Sequence, residues 1–231
     1  RQGGLTSQAF QLNTHLDDVL PLPKTEVSPL PLATRDESLS SPNELVFATL
    51  GSGQRRLFVS SIGGTKVAVV NPQTGTVVDR LDVPEGGSGL VYEAGSGMLI
   101  LLSRFDNQLH LVDPLTGYTG TSIPVGRSGW DPSLPEIKEG RRFLYTGAQS
   151  GNGALSCAVC HPYGNLDNIA WDLGDPSGEM AAAPPPSKNG GVQASDFHPL
   201  KGPMTSQTLR GLKDTEPFHW RGDRAAFYAF N

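Results

Sequence analysis

The chain has 231 residues, a formal net charge of −5 at pH 7 and a pI of about 5.5. No Lys/Arg-rich run occurs, and the longest apolar run, Met98 to Leu102, is far too short for a bilayer, so nucleic acid and a membrane span are not expected. With 28 Gly and 19 Pro against only 3 Trp, 5 Tyr and 9 Phe, the composition suits turn-rich β structure and long loops better than a helix bundle.

Residues 1–44 show no sustained periodicity and read as an extended Pro/Ser-rich arm. Leu20-Pro21-Leu22-Pro23 and Ser28-Pro29-Leu30-Pro31-Leu32 are polyproline-like, and the spaced leucines imply that the arm lies against another surface. His15 belongs to this arm, with a surface or capping role weighed against ligation of a neighbouring metal group. The opening Arg1-Gln2-Gly3-Gly4 lacks both Met and an apolar leader core, so a processed or partial chain is expected.

From 45 to 149 the pattern changes to short apolar runs between turn residues. Strands are predicted at 56–60, 66–70 and 76–81. The turn Asn71-Pro72-Gln73-Thr74-Gly75 returns as Asp113-Pro114-Leu115-Thr116-Gly117, an offset of 42 residues, and Leu57-Phe58-Val59 returns at the same offset as Leu99-Ile100-Leu101. A third start is expected at 140–146. A period of this length with three or four strands per unit resembles β-propeller blades, in particular those whose repeats carry a Tyr-Val-Thr-Asn motif. The resemblance implies about two and a half blades serving as a scaffold or docking surface. Because a ring needs at least about four blades, other chains or a larger parent protein are expected to complete it.

Residues 150–231 carry the chemistry. Cys157-Ala158-Val159-Cys160-His161 has the C-x-x-C-H spacing of covalent haem c attachment. Two thiols add across the haem vinyl groups, and one turn of helix brings the histidine beneath the ring as the axial ligand. Competing readings are a thioredoxin-like pair, half of a zinc site and a plain disulfide. The motif follows a Gly-rich loop rather than a strand, and no second Cys or His pair exists for zinc. One covalent haem c is therefore expected, with His161 on the iron. Such attachment takes place outside the bacterial cytoplasm, which implies an exported, periplasmic or extracellular protein.

The second axial position has four candidates: Met180, His198, Met204 and His219. Met204 is favoured, because Lys201-Gly202-Pro203 forms a rigid turn that can aim a thioether; His198 or His219 would give a bis-histidine site of lower potential. The run Thr205 to Gly211, followed by Glu216-Pro217-Phe218-His219-Trp220, resembles the T-P-x-L-R-N … P-Y-F-H-D-G segment of di-haem cytochrome c peroxidases and their maturation-enzyme relatives. The match extends from Cys157 to the end and is nearest to large exported proteins in which propeller repeats run into such a cytochrome domain. It implies that Arg210 neutralises haem propionates and that His219 is the family's PYFH histidine. Gln207 stands where the family has proline, Trp220-Arg221 interrupts the H-D-G, and one C-x-x-C-H is present where the family has two.

The expected fold is thus mixed: partial all-β propeller blades followed by a mainly α and loop cytochrome c-like domain. The expected function is electron transfer to redox partner proteins through one haem. The alternatives are a peroxidase-like enzyme acting on hydrogen peroxide and a propeller interaction module with a structural haem. Asp167, Asp172 and Asp175 could bind calcium but read better as turn-forming residues.

Overall fold

The computed structural model describes residues 9–16, 30–126, 131–172, 178–180, 202–220, 222 and 224–226. They fall into two units: 9–16, 30–148 and 152–156 in the first, 149–151 and the residues from 157 onward in the second.

The first unit is built on two four-stranded antiparallel sheets. One has the order β1 (Pro42–Thr49), β2 (Arg55–Ser61), β3 (Lys66–Val70), β4 (Val77–Asp82); the other runs β5 (Gly87–Glu93), β6 (Met98–Ser103), β7 (Gln108–Asp113), β8 (Gly117–Pro124). The three strands predicted from apolar runs are β2, β3 and β4. The repeated turn has a physical cause: Asn71 Oδ1 accepts the amide of Gln73 at 2.9 Å, and Asp113 Oδ1 accepts those of Leu115 and Thr116 at 2.8 and 3.0 Å. In both copies the last residue, Gly75 or Gly117, takes a positive φ, which glycine adopts without steric cost.

The sheets stack head to tail. Phe58, Val67, Val69 and Leu81 of the first sheet form one core with Leu99, Leu101 and Val112 of the second. The positions 42 residues before Leu99, Leu101 and Val112 are Leu57, Val59 and Val70, and these line the opposite face of the first sheet. Equivalent residues thus face in the same sense in each repeat rather than towards a mirror partner. β3 is consequently covered on both faces and reads as the continuous run Val67-Ala68-Val69-Val70, whereas β6 alternates buried Leu99, Leu101 and Ser103 with half-buried neighbours.

The arm does lie against a surface. Leu12 and Leu39 pack on Val59, Ala68 and Val70, Leu16 is buried, and Asn13 exchanges hydrogen bonds with the Leu39 backbone at 2.8 and 3.2 Å. His15 lies between Ser38 Oγ at 3.0 Å and the Arg80 guanidinium at 3.3 Å, within the arm's own packing. A short helix, α1 (Leu32–Asp36), precedes β1.

The expected third strand start at 140–146 is instead the end of a helix, α2 (Pro135–Tyr145). Pro135 at its first position and Glu136 in its first turn favour helix initiation, and Glu, Lys, Arg and Leu sustain it, outweighing the strand-like look of Phe143-Leu144-Tyr145. Arg142 pairs with Glu85 at 2.7 Å, Arg141 pairs with Asp131 at 3.0 Å, and Tyr145 meets Phe105 with ring centroids 6.2 Å apart. After α2 the chain passes so close to Gly63 that a Cβ there would collide with the Tyr145 carbonyl.

The second unit holds two 3-10 turns, Cys157–Val159 and Pro162–Gly164, and a two-residue ladder of β9 (Ala170–Trp171) with β10 (Met204–Thr205). No α-helix lies in it among the described residues.

The expected fold class is therefore corrected. Two four-stranded sheets do not close a propeller, and the segment after the haem motif is not a mainly helical cytochrome domain. The reason is local. Pro162 removes a backbone donor right after the motif, and Tyr163 takes a φ of 55°, outside the helical region. After β10 the chain runs without regular structure to Leu212. Arg224 bridges Phe218 as an antiparallel pair. Among the described residues no helix is long and apolar enough to cross a membrane.

Candidate functional site

Cys157, Cys160 and His161 lie on one turn of chain. The His161 amide donates to the Cys157 carbonyl at 2.9 Å, so the histidine follows the first cysteine by a single helical turn. Both cysteines are unbridged and half-buried, and Val159 between them is exposed.

Burial pushes the Cys157 thiol above its ordinary value. Cys160 is raised first by burial and then by the negative charges of Asp167 and Cys157. A dithiol redox pair works through a lowered thiolate pKa, and this turn imposes the reverse. Among the described residues no group of three His, Cys, Asp or Glu that could hold a metal ion occurs.

The histidine is held from the opposite side of its ring. His161 Nδ1 lies 2.7 Å from the Gln207 backbone carbonyl, which can only accept, so Nδ1 carries the proton. Nε2 is then the unprotonated nitrogen, with its lone pair available to a metal. A carbonyl behind the imidazole is the common way in which proteins fix the tautomer and raise the basicity of a metal-ligating histidine.

Gln207 reaches this position because residues 204–209 run alongside residues 161–171. Asp167 Oδ1 accepts the Ser206 hydroxyl, Oδ2 accepts Trp171 Nε1 at 2.7 Å, and the Asp167 amide donates back to Ser206 Oγ at 3.1 Å. The Ser206 amide donates to the Ile169 carbonyl at 3.4 Å and the Leu209 amide to the Gly164 carbonyl at 3.0 Å. The hydroxyl of Ser206 and then the amide of Ile169 hold the Asp167 carboxyl down at about 2. Asp167 thus works as a structural anion; Asp175 lies outside the described residues.

The other site candidates are placed unequally. Met204 is half-buried in β10, three residues before Gln207, which puts it on the segment that carries the carbonyl partner of His161. Arg210 is exposed three residues after Gln207, its amide turned onto Thr208 Oγ1 at 3.2 Å. His219 is exposed at a φ of 67°, and its carbonyl accepts the Gly222 amide at 3.1 Å. Met180 is exposed, and His198 lies outside the described residues. Gln207 itself escaped sequence reasoning as a functional residue, because it acts through a backbone atom that leaves no side-chain signature.

The residues fit covalent haem c. Two free thiols stand at the required spacing on one turn, an imidazole is oriented by a carbonyl at Nδ1, and Val159, Tyr163, Leu166 and Ile169 offer exposed apolar side chains within the same short stretch. Compared with known proteins, the sequence matches no protein-family model and no curated protein.

Proposed function

We propose that this chain is an exported c-type cytochrome, or the mono-haem part of a larger one, that passes electrons between redox partner proteins. The observation that carries the reading is the 2.7 Å contact of His161 Nδ1 with the Gln207 carbonyl, coupled to the C-x-x-C-H turn. Cys157 and Cys160 would hold the group as thioethers and His161 Nε2 would bind its iron; the group supplies a one-electron couple when bound.

Within this reading the chain's own residues have separable tasks. The Gln207 carbonyl fixes the imidazole and adds basicity at Nε2, which favours the oxidised state. Burial raises both thiols, which leaves them less reactive as thiolates. Met204, on the segment that carries Gln207, would be a second ligand of the iron, and the exposed Arg210 would pair with a propionate. The two sheets offer a broad rigid surface for docking.

The test is the optical and EPR spectrum of the ferric protein produced with haem-attachment machinery. Low-spin iron with the far-red Met–iron charge-transfer band is expected. Low-spin iron without that band moves the second ligand to a histidine. High-spin iron makes the face open and favours hydrogen peroxide chemistry over simple electron transfer.

A further inference from the structure

The second unit has an unusual energetic basis. Among the described residues the buried hydrophobic side chains of the core end at Val112, and none after Cys157 belongs to it. Among its described residues the named strands form one ladder of two residues each, beside two 3-10 turns, far below what holds a hairpin together in water. Yet the Gln207 carbonyl must be held to within a few tenths of an ångström for its bond to His161 to persist. Something polar has to place it.

The structure assigns that task to Asp167. We propose that Asp167 is a positioning residue for His161: its carboxylate gathers the Ser206 hydroxyl, the Trp171 indole and the Ile169 amide into one clasp that seats the Gln207 carbonyl on His161 Nδ1. The inference rests on the haem reading for its functional consequence but not for its geometry. Asp167 follows His161 by six residues, and Ser206 is the immediate neighbour of Gln207, so the clasp joins the two chain segments at the point where the histidine needs them joined. The bonds run both ways, from the Asp167 amide to Ser206 Oγ at 3.1 Å and from the Ser206 hydroxyl to the carboxylate, while Oδ2 takes Trp171 Nε1 at 2.7 Å and Oδ1 takes the Ile169 amide at 3.0 Å. A carboxylate accepting several donors is a rigid node, because charge-assisted bonds are about twice as strong as neutral ones. Asp167 therefore acts on the histidine through Ser206 and Gln207, without touching it.

Two consequences follow. With the clasp intact, His161 is confined to the Nδ1–H tautomer, leaving Nε2 as the metal-binding nitrogen. Without it, the carbonyl drifts and the ring reverts towards the Nε2–H tautomer that water favours, which cannot bind iron through Nε2. In the haem-bound protein the weaker Nδ1 bond lowers ligand basicity and shifts the reduction equilibrium towards the ferrous form. The loss of one hydrogen bond implies a shift of about threefold to tenfold, or roughly 30 to 60 mV at about 59 mV per tenfold for one electron.

The full chain, labelled with 15N-histidine, is compared as wild type, Asp167→Ala, Asp167→Asn, Ser206→Ala and the Asp167→Ala, Ser206→Ala double variant, each prepared with and without haem attachment. Long-range 1H–15N spectra report the His161 tautomer, and redox titration reports the potential of the haem form. The wild type is expected as Nδ1–H. Asp167→Ala and Ser206→Ala should each lose that tautomer and raise the potential, and the double variant should shift no further than the larger single one, because both act through one path. Asp167→Asn removes the charge and keeps an acceptor oxygen, so it should retain the tautomer. An unchanged His161 tautomer in Ser206→Ala, or additive shifts in the double variant, would overturn the assignment. If the chain takes up no haem but the variants still change the tautomer, the clasp stands and the cytochrome reading falls. If the chain takes up haem but the tautomer of the haem-free protein is indifferent to Asp167 and Ser206, the cytochrome reading stands and the clasp falls.

Discussion

Leu99→Ala probes the head-to-tail stacking of the two sheets. Leu99 is 0% exposed and lies in the shared core with Phe58, Val67 and Val69. The substitution removes three carbons, at about 0.8 kcal/mol each for transfer alone, or roughly 2.4 kcal/mol. Close neighbours on both sheets allow little collapse, and the cavity adds about 1–2 kcal/mol, giving about 3.5–4.5 kcal/mol in all. Ile100, the next residue along β6, points to the other face and is only half-buried, so Ile100→Ala should cost roughly half as much. Urea unfolding followed by far-UV circular dichroism reads both, and the slope m should stay constant. If Ile100→Ala costs as much as Leu99→Ala, or Leu99→Ala costs less than about 1 kcal/mol, the register of the second sheet described above is wrong.

The remaining expectations concern polar groups. His110 is buried, with Nε2 3.1 Å from Asp106 Oδ2 and no partner for Nδ1 among the described residues, so His110→Leu should leave thermal stability unchanged or raise it; a clear loss would mean that the imidazole is fully satisfied. Asp131 is depressed to about 2 by the Ser133 amide and hydroxyl and then by Arg141, and Asp167 is depressed to about 2 by Ser206 and the Ile169 amide. Both folded-state values lie below the ordinary 3.8, so their stabilisation is full above about pH 4 and is lost as the pH falls towards 2. Asp131→Asn should flatten the acid end of the stability curve in the first unit; a slope unchanged from wild type between pH 4 and 2 would contradict this. Gln207→Pro keeps the carbonyl while removing the amide, and it should retain haem and the His161 tautomer; loss of both would mean that the Gln207 amide or side chain matters.

The legibility of this chain in its sequence follows the range of the interactions. β2 to β4 were readable because their apolar runs end at turns whose Asn, Pro and Gly carry local instructions. The 42-residue echo was equally readable, since Asn71 and Asp113 cap their own turns. The expected start at 140–146 is not a strand because Phe143-Leu144-Tyr145 ends a helix that Pro135 and Glu136 initiate. The facing of the sheets was not legible: Leu57 and Leu99 are equivalent in sequence, yet only Leu99 enters the shared core. At the site, the thiols and imidazole announced themselves by spacing. Their support did not, because a backbone carbonyl has no residue code and Asp167 looks like any turn-forming aspartate. The mainly helical expectation for this segment failed where Pro162 and the positive φ of Tyr163 break the chain immediately after the motif.

Covalent attachment itself tests the central claim most directly. The full chain is exported in a host with cytochrome c maturation machinery, denatured, and assayed by pyridine haemochrome and by the mass of the intact polypeptide. The account predicts one haem per chain that survives denaturation, with the spectrum of two saturated vinyl groups, and its loss in the Cys157→Ser, Cys160→Ser double variant. A chain that emerges with both thiols free and no bound haem, while its β-sheet signal is intact, would contradict the account.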